Sequence, residues 1–190
     1  GSPPQAWKIL RVLEDASADF QVLRAFYYWI TARAELPLYG FVVEIILPMQ
    51  RSGRFDIRVE DAVAWLGDKT KEAGLAWTPT VTLKVSRGIL AALRDFGILE
   101  GVNRKRIAPV HLGAEAFVLL AFCLHCLGES GSALVRHPDW WLFLLGETGV
   151  EHLFLEAHQH GWLRFESAGN IVRVEFPEIT FEEYVHVVLG

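Results

Sequence analysis

Hydrophobic residues between positions 79 and 96 recur at helical spacing, and polar residues fill the other side of the same helix. Thr78 is suited to cap this helix, Pro79 to occupy its first position and Gly97 to end it. On a wheel of about 100° per residue, the apolar side consists of Val85, Ile89, Ala92, Leu93 and Phe96. The opposite side consists of Thr80, Lys84, Arg87, Ala91 and Arg94. The pattern predicts a helix that buries one face and presents cations on the other.

A short hairpin with a basic tip is predicted directly after this helix. Residues 98–99 and 106–108 have the composition of two short strands, and residues 101–105 (GVNRK) have that of a turn. Residues 80–106 hold six Lys or Arg and two acids, a formal charge of +4 in a chain whose net charge is −5. The basic character is therefore local, and a local basic patch on an acidic protein can still neutralise phosphates.

The elements predicted before this helix follow the order found in a known DNA-binding motif. Residues 36–49 form an apolar helical stretch with Pro37 near its start, residues 55–59 alternate like a strand, and residues 60–71 predict a compact helix with acids in its first turn. Helix, strand, helix, turn, helix and hairpin is the order of a winged helix-turn-helix. In that motif a helix enters the major groove of DNA and a basic hairpin meets the backbone. The loop at residues 72–77 is longer than the tightest turn of the motif.

The rest of the chain is also predicted to be mostly helical. Two helices are expected within residues 5–34, and further helices over residues 114–127, 137–145, 150–160 and 180–189. A second hairpin is predicted at residues 162–176, with its turn at residues 168–170. Its exposed face would pair Arg164 with Glu175 and Glu166 with Arg173 across the strands.

The predicted fold class is therefore mainly α: a helical bundle with winged helix-turn-helix-like modules and two short β-hairpins. We predict two domains. Residues 3–110 would hold the N-terminal helices and the DNA-binding module, and residues 111–190 a helical module with the hairpin at 162–176.

Composition narrows the class further. An apolar fraction of 52% and seven Trp predict a substantial core rather than disorder. Only two cysteines occur, which gives no disulfide framework and favours a reducing, cytoplasmic setting. The apolar run at residues 116–128 is thirteen residues long, and a membrane-spanning helix needs about twenty. We therefore expect a buried core helix there and no membrane insertion.

Two clusters of side chains have the chemistry of metal ligands or catalytic groups. Cys123, His125 and Cys126 lie in the apolar run without a second ligand pair, which favours burial over zinc binding. His158 and His160 are two apart on a predicted helix, so their side chains diverge and do not share a metal easily. The sequence has no zinc-protease motif, no nucleophile elbow and no phosphate-binding glycine loop. We expect no metal, no cofactor and no catalytic residues, and hence a protein that is not an enzyme.

Several segments resemble the BrxA family of bacterial BREX (bacteriophage exclusion) phage-defence systems. They are RAFYYWI (24–30), LYGFVVEIILP (38–48), LRDFGILEG (93–101), HPDWWLFLL (137–145) and EAHQHGWLRFESAGNIVRVEFP (156–177). The resemblance extends over about residues 7–188. It implies a non-catalytic accessory protein that binds double-stranded DNA, is mostly helical with winged-helix character, and works beside a methyltransferase, an ATPase and other BREX components.

The candidate DNA-binding residues come from the helical wheel and the hairpin. They are Thr80, Thr82, Lys84, Arg87, Arg94, Arg104, Lys105 and Arg106. Two other functions stay open: a protein-interaction scaffold within a defence complex, and a winged-helix transcription regulator. A charged helix face can also serve solubility alone.

Overall fold

Helices make up most of the structure, a computed structural model that describes residues 6–168 and 171–190. Its described residues divide into two units. One unit, here called the basic unit, is Ala32–Val110, and the other, the acidic unit, combines the chain up to Thr31 with His111–Gly190. The basic unit holds 12 Lys or Arg against 9 Asp or Glu, a formal +3, and the acidic unit has a formal charge of −8.

This division differs from the predicted domains. The N-terminal helices group with the C-terminal half of the chain and not with residues 32–110. The physical reason is an aromatic core that residues far apart in sequence share. Trp29 Nε1 donates a hydrogen bond of 2.6 Å to the buried Asp139 Oδ2, and the Tyr28 hydroxyl donates to the Leu142 carbonyl at 3.1 Å.

The basic unit begins with a helical stretch that is interrupted once. This stretch consists of α3 (Leu36–Phe41), a π-helical turn (Val42–Ile46) and α4 (Leu47–Arg51). Pro48 has no N–H and its ring crowds the carbonyl four residues earlier, so a regular α-helix is not possible immediately before it. The predicted apolar helix is thus confirmed, with a local widening that accommodates Pro48.

A small sheet and two longer helices complete the basic unit. They are β1 (Asp56–Ile57), α5 (Val59–Glu72), α6 (Pro79–Asp95), β2 (Leu99–Glu100) and β3 (Lys105–Ile107). All strand pairs are antiparallel and the strand order is β1-β3-β2, so the strand that precedes α5 joins the outer side of the hairpin. Helix α5 packs on α6. Buried apolar side chains fill the space between these elements: Ile57, Leu66, Leu90, Leu93, Leu99 and Ile107.

The acidic unit is built around one apolar helix. Its elements are α1 (Ala6–Asp15), α2 (Phe20–Ala34, which continues into the basic unit), α7 (Ala114–Cys126), α8 (Gly131–Val135), a 3₁₀ helix (Pro138–Phe143), α9 (Glu147–Gln159), β4 (Arg164–Ala168), β5 (Ile171–Glu175) and α10 (Phe181–Leu189). Within α7, Phe117 is fully buried, with its ring 4.7 Å from that of Trp140 and 4.8 Å from that of Phe154. The predicted core helix is confirmed. In the part of the chain that the structure describes, no helix has the length and apolar character needed to cross a membrane.

The second hairpin follows the predicted register with different ion pairs. Arg164 lies opposite Glu175 and Glu166 opposite Arg173. The salt bridges run along each strand instead, from Arg164 to Glu166 at 2.8 Å and from Arg173 to Glu175. The predicted cross-strand positions are therefore confirmed, and each arginine forms its ion pair with the acid two residues away on the same face of its own strand. Of the predicted turn, residues 169–170 lie outside the described residues.

Candidate nucleic-acid interface

Helix α6 begins and ends where its sequence predicts. The Thr78 hydroxyl accepts a hydrogen bond of 3.4 Å from the Val81 N–H, and Pro79 occupies the first turn, where its missing N–H removes no helical hydrogen bond. At the other end, Gly97 has a φ of 79°, and the Ile98 N–H donates to the Leu93 carbonyl at 2.8 Å. Gly97 is suited to this left-handed conformation, which satisfies a carbonyl at the helix end. The cationic side chains of α6 therefore project from a helix with defined limits.

The buried face of α6 is turned relative to the predicted one. Its buried residues are Thr82, Ser86, Ile89, Leu90 and Leu93, whereas Val85 is only half-buried. Two small polar side chains thus belong to the face that packs inward. The helical wheel assigned only apolar residues to the buried face, so it left out Thr82 and Ser86. The centre of the predicted buried face therefore differs from that of the observed one.

Thr82 does not belong to the candidate interface, because its side chain lies on the buried face of α6. Its side chain is 7% exposed, and its hydroxyl donates a hydrogen bond of 3.3 Å to the Thr78 carbonyl. A hydroxyl held in this way inside the helix contact does not reach a phosphate.

The opposite face of α6 is open to solvent. Thr80, Lys84 and Arg87 are exposed, and neither Lys84 nor Arg87 forms an ion pair with any residue that the structure describes. Arg94 is half-buried, and its guanidinium binds the Asp95 carboxylate at 2.8 Å. Two cations of this face are therefore free to meet an anionic partner, and the third is partly neutralised.

The hairpin that joins β2 to β3 has a turn of fixed shape, here called the wing tip (residues 101–104). Gly101 has a φ of 85°, and a Cβ at this position would lie 2.0 Å from the Arg104 carbonyl oxygen, so only glycine fits. The Lys105 Nζ donates to the Val102 carbonyl at 2.9 Å and closes the turn. As a result Arg104 is exposed, and it has no ion-pair partner among residues 6–168 and 171–190.

Arg106 is exposed but not fully available. It lies opposite Asp56 in the sheet, and its Nε is 3.4 Å from the Asp56 Oδ1. Surface pairs of this kind contribute little to stability, so a phosphate can compete for the guanidinium. Of the sequence-predicted cations, Lys84, Arg87, Arg104 and Lys105 are thus without an acidic partner within the described chain.

One cation near the wing, Arg58, was not predicted from the sequence. Arg58 is exposed at the start of α5 and lines an open groove of about 490 Å³ together with Asn103, Arg104 and Lys105 from the wing. Asp56 and Glu60 line the same groove. The pairing of β1 with β3 brings these residues together, and a pairing between strands 48 residues apart leaves no local signal in the sequence.

The two ligand clusters of the acidic unit have structural explanations. Burial raises the pKa of the Cys123 thiol, so it stays protonated, and the His125 ring stacks on Phe176 with the ring centres 5.1 Å apart. His158 Nδ1 accepts a 3.4 Å hydrogen bond from the Phe165 N–H, and His160 stacks on Trp162 at 4.3 Å. Among the described residues, no group of three or more His, Cys, Asp or Glu is placed to hold a metal ion.

Comparison with known proteins places the chain in a family. The family model described as BrxA matches residues 7–122, which is more than half of the sequence. The chain belongs to the BrxA family. BrxA proteins are components of BREX phage-defence systems, which gives this chain its broad biological setting. The match includes the whole of the basic unit and stops within α7. No curated protein and no solved structure matches the chain.

Proposed function

We propose that this BrxA family member is a non-catalytic accessory protein that binds double-stranded DNA in a BREX system. The observation that carries the proposal is the outward face of α6, where Lys84 and Arg87 are exposed and lack an acidic partner in the described chain. The same unit carries the exposed Arg104 on the wing tip, whose turn requires glycine at position 101.

The arrangement of elements supports a winged helix-turn-helix as the binding module. Strand β1, helices α5 and α6, and the β2–β3 hairpin follow one another within one unit, and the sheet has the order β1-β3-β2. Helix α6 has 17 residues, a length of about 25 Å, and the major groove is about 12 Å wide. In the proposed binding mode α6 lies in the major groove and the wing, the β2–β3 hairpin, contacts the adjacent backbone.

Each interface residue then has a defined role. Thr80, in the first turn of α6, would bind a phosphate that the positive end of the helix also attracts. Lys84 and Arg87 would meet phosphates or base edges, and Arg104, Lys105 and Arg106 would clamp the backbone. Arg94 contributes less because Asp95 already holds its guanidinium.

The test is equilibrium binding to a duplex of about 20 base pairs. A duplex of this length is long enough for α6 and the wing, which together would cover roughly one helical turn of DNA. Charge reversal in Lys84→Glu/Arg87→Glu is expected to abolish most of the binding. The matched control is Lys8→Glu/Arg11→Glu, which changes the net charge equally at exposed positions of α1 in the acidic unit. A folded Lys84→Glu/Arg87→Glu protein that binds like the control would refute the proposal.

A second candidate function has a separate observation in its favour. The acidic unit, with its formal charge of −8, carries an open cleft of about 430 Å³ that is lined by Phe122, His125, Phe176, Glu178 and Glu183 among others. Such a surface fits a scaffold that docks another BREX component. Capture of the BREX methyltransferase or ATPase that survives Lys84→Glu/Arg87→Glu, but is lost on Glu178→Lys, would favour this function.

A further inference from the structure

We propose that Arg58 and Arg104 together form a clamp for one phosphate group, at the groove between the end of β1 and the wing. The identity of this phosphate as part of a DNA backbone rests on the proposed function. The clamp itself rests on the sheet register and on the charges that surround the two arginines.

The register of the sheet places the two arginines together. Asp56 pairs with Arg106 and Ile57 with Lys105, in antiparallel order. Arg58 directly follows Ile57 and Arg104 directly precedes Lys105, so the two arginines lie at the same end of this strand pair, and both residues line the same groove. The closed turn at Gly101 fixes the backbone on the wing side. On the other side, the Arg58 N–H donates to the Asp61 carboxylate at 2.8 Å, which fixes the start of α5.

The charges around this position favour an anion. Neither Arg58 nor Arg104 forms an ion pair with a residue in the described ranges, although each is exposed. Two cations held at the same end of a strand pair repel each other. An anion between them reverses this effect, since guanidinium groups bind phosphate oxygens through two parallel N–H donors. Asn103 and Lys105 line the same groove, and the Asn103 amide is a further possible donor to the anion.

The acids of the groove oppose the anion only in part. Asp56 and Glu60 are the acids that line the groove, and the Asp56 carboxylate is engaged by Arg106 at 3.4 Å. Glu60 remains as an exposed acid in the groove, and it has no ion-pair partner in the described structure. Glu60 is therefore expected to weaken the clamp, which provides a variant that should gain affinity.

The experiment measures duplex binding by Arg58→Ala, Arg104→Ala, the double variant and Glu60→Gln. The matched control is Arg51→Ala, which removes one exposed arginine of the basic unit outside the groove. Each clamp variant should lose about tenfold in affinity, the range expected for one charge-assisted contact. The double variant should lose less than the product of the two single losses, because both residues hold one phosphate. Glu60→Gln should bind more tightly than wild type.

Two results separate the clamp from the proposed function. If wild type binds the duplex but Arg58→Ala behaves like Arg51→Ala, the clamp is overturned and DNA binding stands. If the wild-type protein does not bind the duplex, the second experiment uses inorganic phosphate as the ligand and measures the melting temperature of the protein. A rise with phosphate that is lost in Arg58→Ala/Arg104→Ala would support the clamp with a free phosphate ligand and refute DNA binding. The same rise in wild type and in the double variant, or no rise in either, would overturn the clamp.

Discussion

Salt dependence is the most direct measure of how many phosphates the proposed interface neutralises. The perturbation is a rise from 50 to 200 mM monovalent salt, applied to wild type and to Lys84→Glu/Arg87→Glu. A protein that neutralises phosphates releases condensed cations from DNA, and its binding constant falls with salt with a slope of about −0.9 per phosphate on a double-logarithmic plot.

The proposed interface gives an expected number of phosphate contacts. Of the cations proposed from the sequence, Lys84, Arg87, Arg104 and Lys105 have no acidic partner among the described residues, whereas Arg94 and Arg106 are paired with Asp95 and Asp56. Arg58 shares the phosphate of Arg104 in the proposed clamp and is not counted separately. Four contacts predict a slope of about −3.6, or a loss of roughly 150-fold in affinity over this range of salt. If the two paired arginines also transfer to phosphates, six contacts predict a slope of about −5.4 and a loss of roughly 1,800-fold.

The assay is fluorescence anisotropy with a labelled duplex at four or more salt concentrations. Wild type should give a slope between these two values, and loss of Lys84 and Arg87 should make it shallower by about two. Lys8→Glu/Arg11→Glu should keep the wild-type slope. A wild-type slope near zero, or the same slope in the Lys84→Glu/Arg87→Glu variant, would refute the assignment of α6 as the DNA-contacting helix.

Three further variants test the scaffold beneath the interface. Gly101→Ala should destabilise the protein by about 1–3 kcal/mol in chemical denaturation, since its Cβ would collide with the Arg104 carbonyl and its φ is 85°; an unchanged midpoint would mean that the wing tip has another shape. Ser86→Ala should stabilise by about 1 kcal/mol, because the buried Ser86 hydroxyl has no partner in the described structure and alanine favours the helix; a loss of stability would show that the hydroxyl is hydrogen-bonded. Thr180→Ala should cost about 1 kcal/mol at neutral pH through the lost cap of α10. The Thr180 N–H and hydroxyl both donate to the Glu183 carboxylate and lower its pKa, and alanine removes only the hydroxyl bond. The stabilisation from that one bond is present above the usual pKa of 4.5 and is lost as the pH falls through the lowered value. The difference between wild type and variant should therefore shrink in acid but persist, because the cap bond from the Glu183 N–H does not titrate, and a difference that is the same at every pH would contradict that linkage.

The local parts of the interface could be predicted from the sequence. Thr78, Pro79 and Gly97 define the ends of α6 through their own backbone chemistry, which depends on residues within one turn. Lys84 and Arg87 are exposed as the wheel predicted. Both predictions succeed because helical periodicity follows from nearest neighbours along the chain.

The parts that depend on tertiary packing could not be predicted in this way. Thr82 and Ser86 are buried because of the way α6 packs, although their residue types favour a solvent-facing position. Arg58 is brought to the wing by the pairing of β1 with β3, and the Trp29 hydrogen bond to Asp139 joins α2 to the C-terminal half. These contacts span about 50 and about 110 residues, and no spacing rule connects such positions.

The overall charge of −5 does not argue against a nucleic-acid partner, because charges act over limited distances in salt solution. At physiological ionic strength the Debye length is about 8 Å, so exposed charges further apart than this are largely screened from one another. The negative charge of this chain is concentrated in the acidic unit, at −8, while the basic unit carries +3. The charge within about 8 Å of a phosphate, rather than the charge of the whole protein, therefore determines whether DNA can bind, and Lys84, Arg87 and Arg104 are exposed cations without an acidic partner among the described residues of the basic unit.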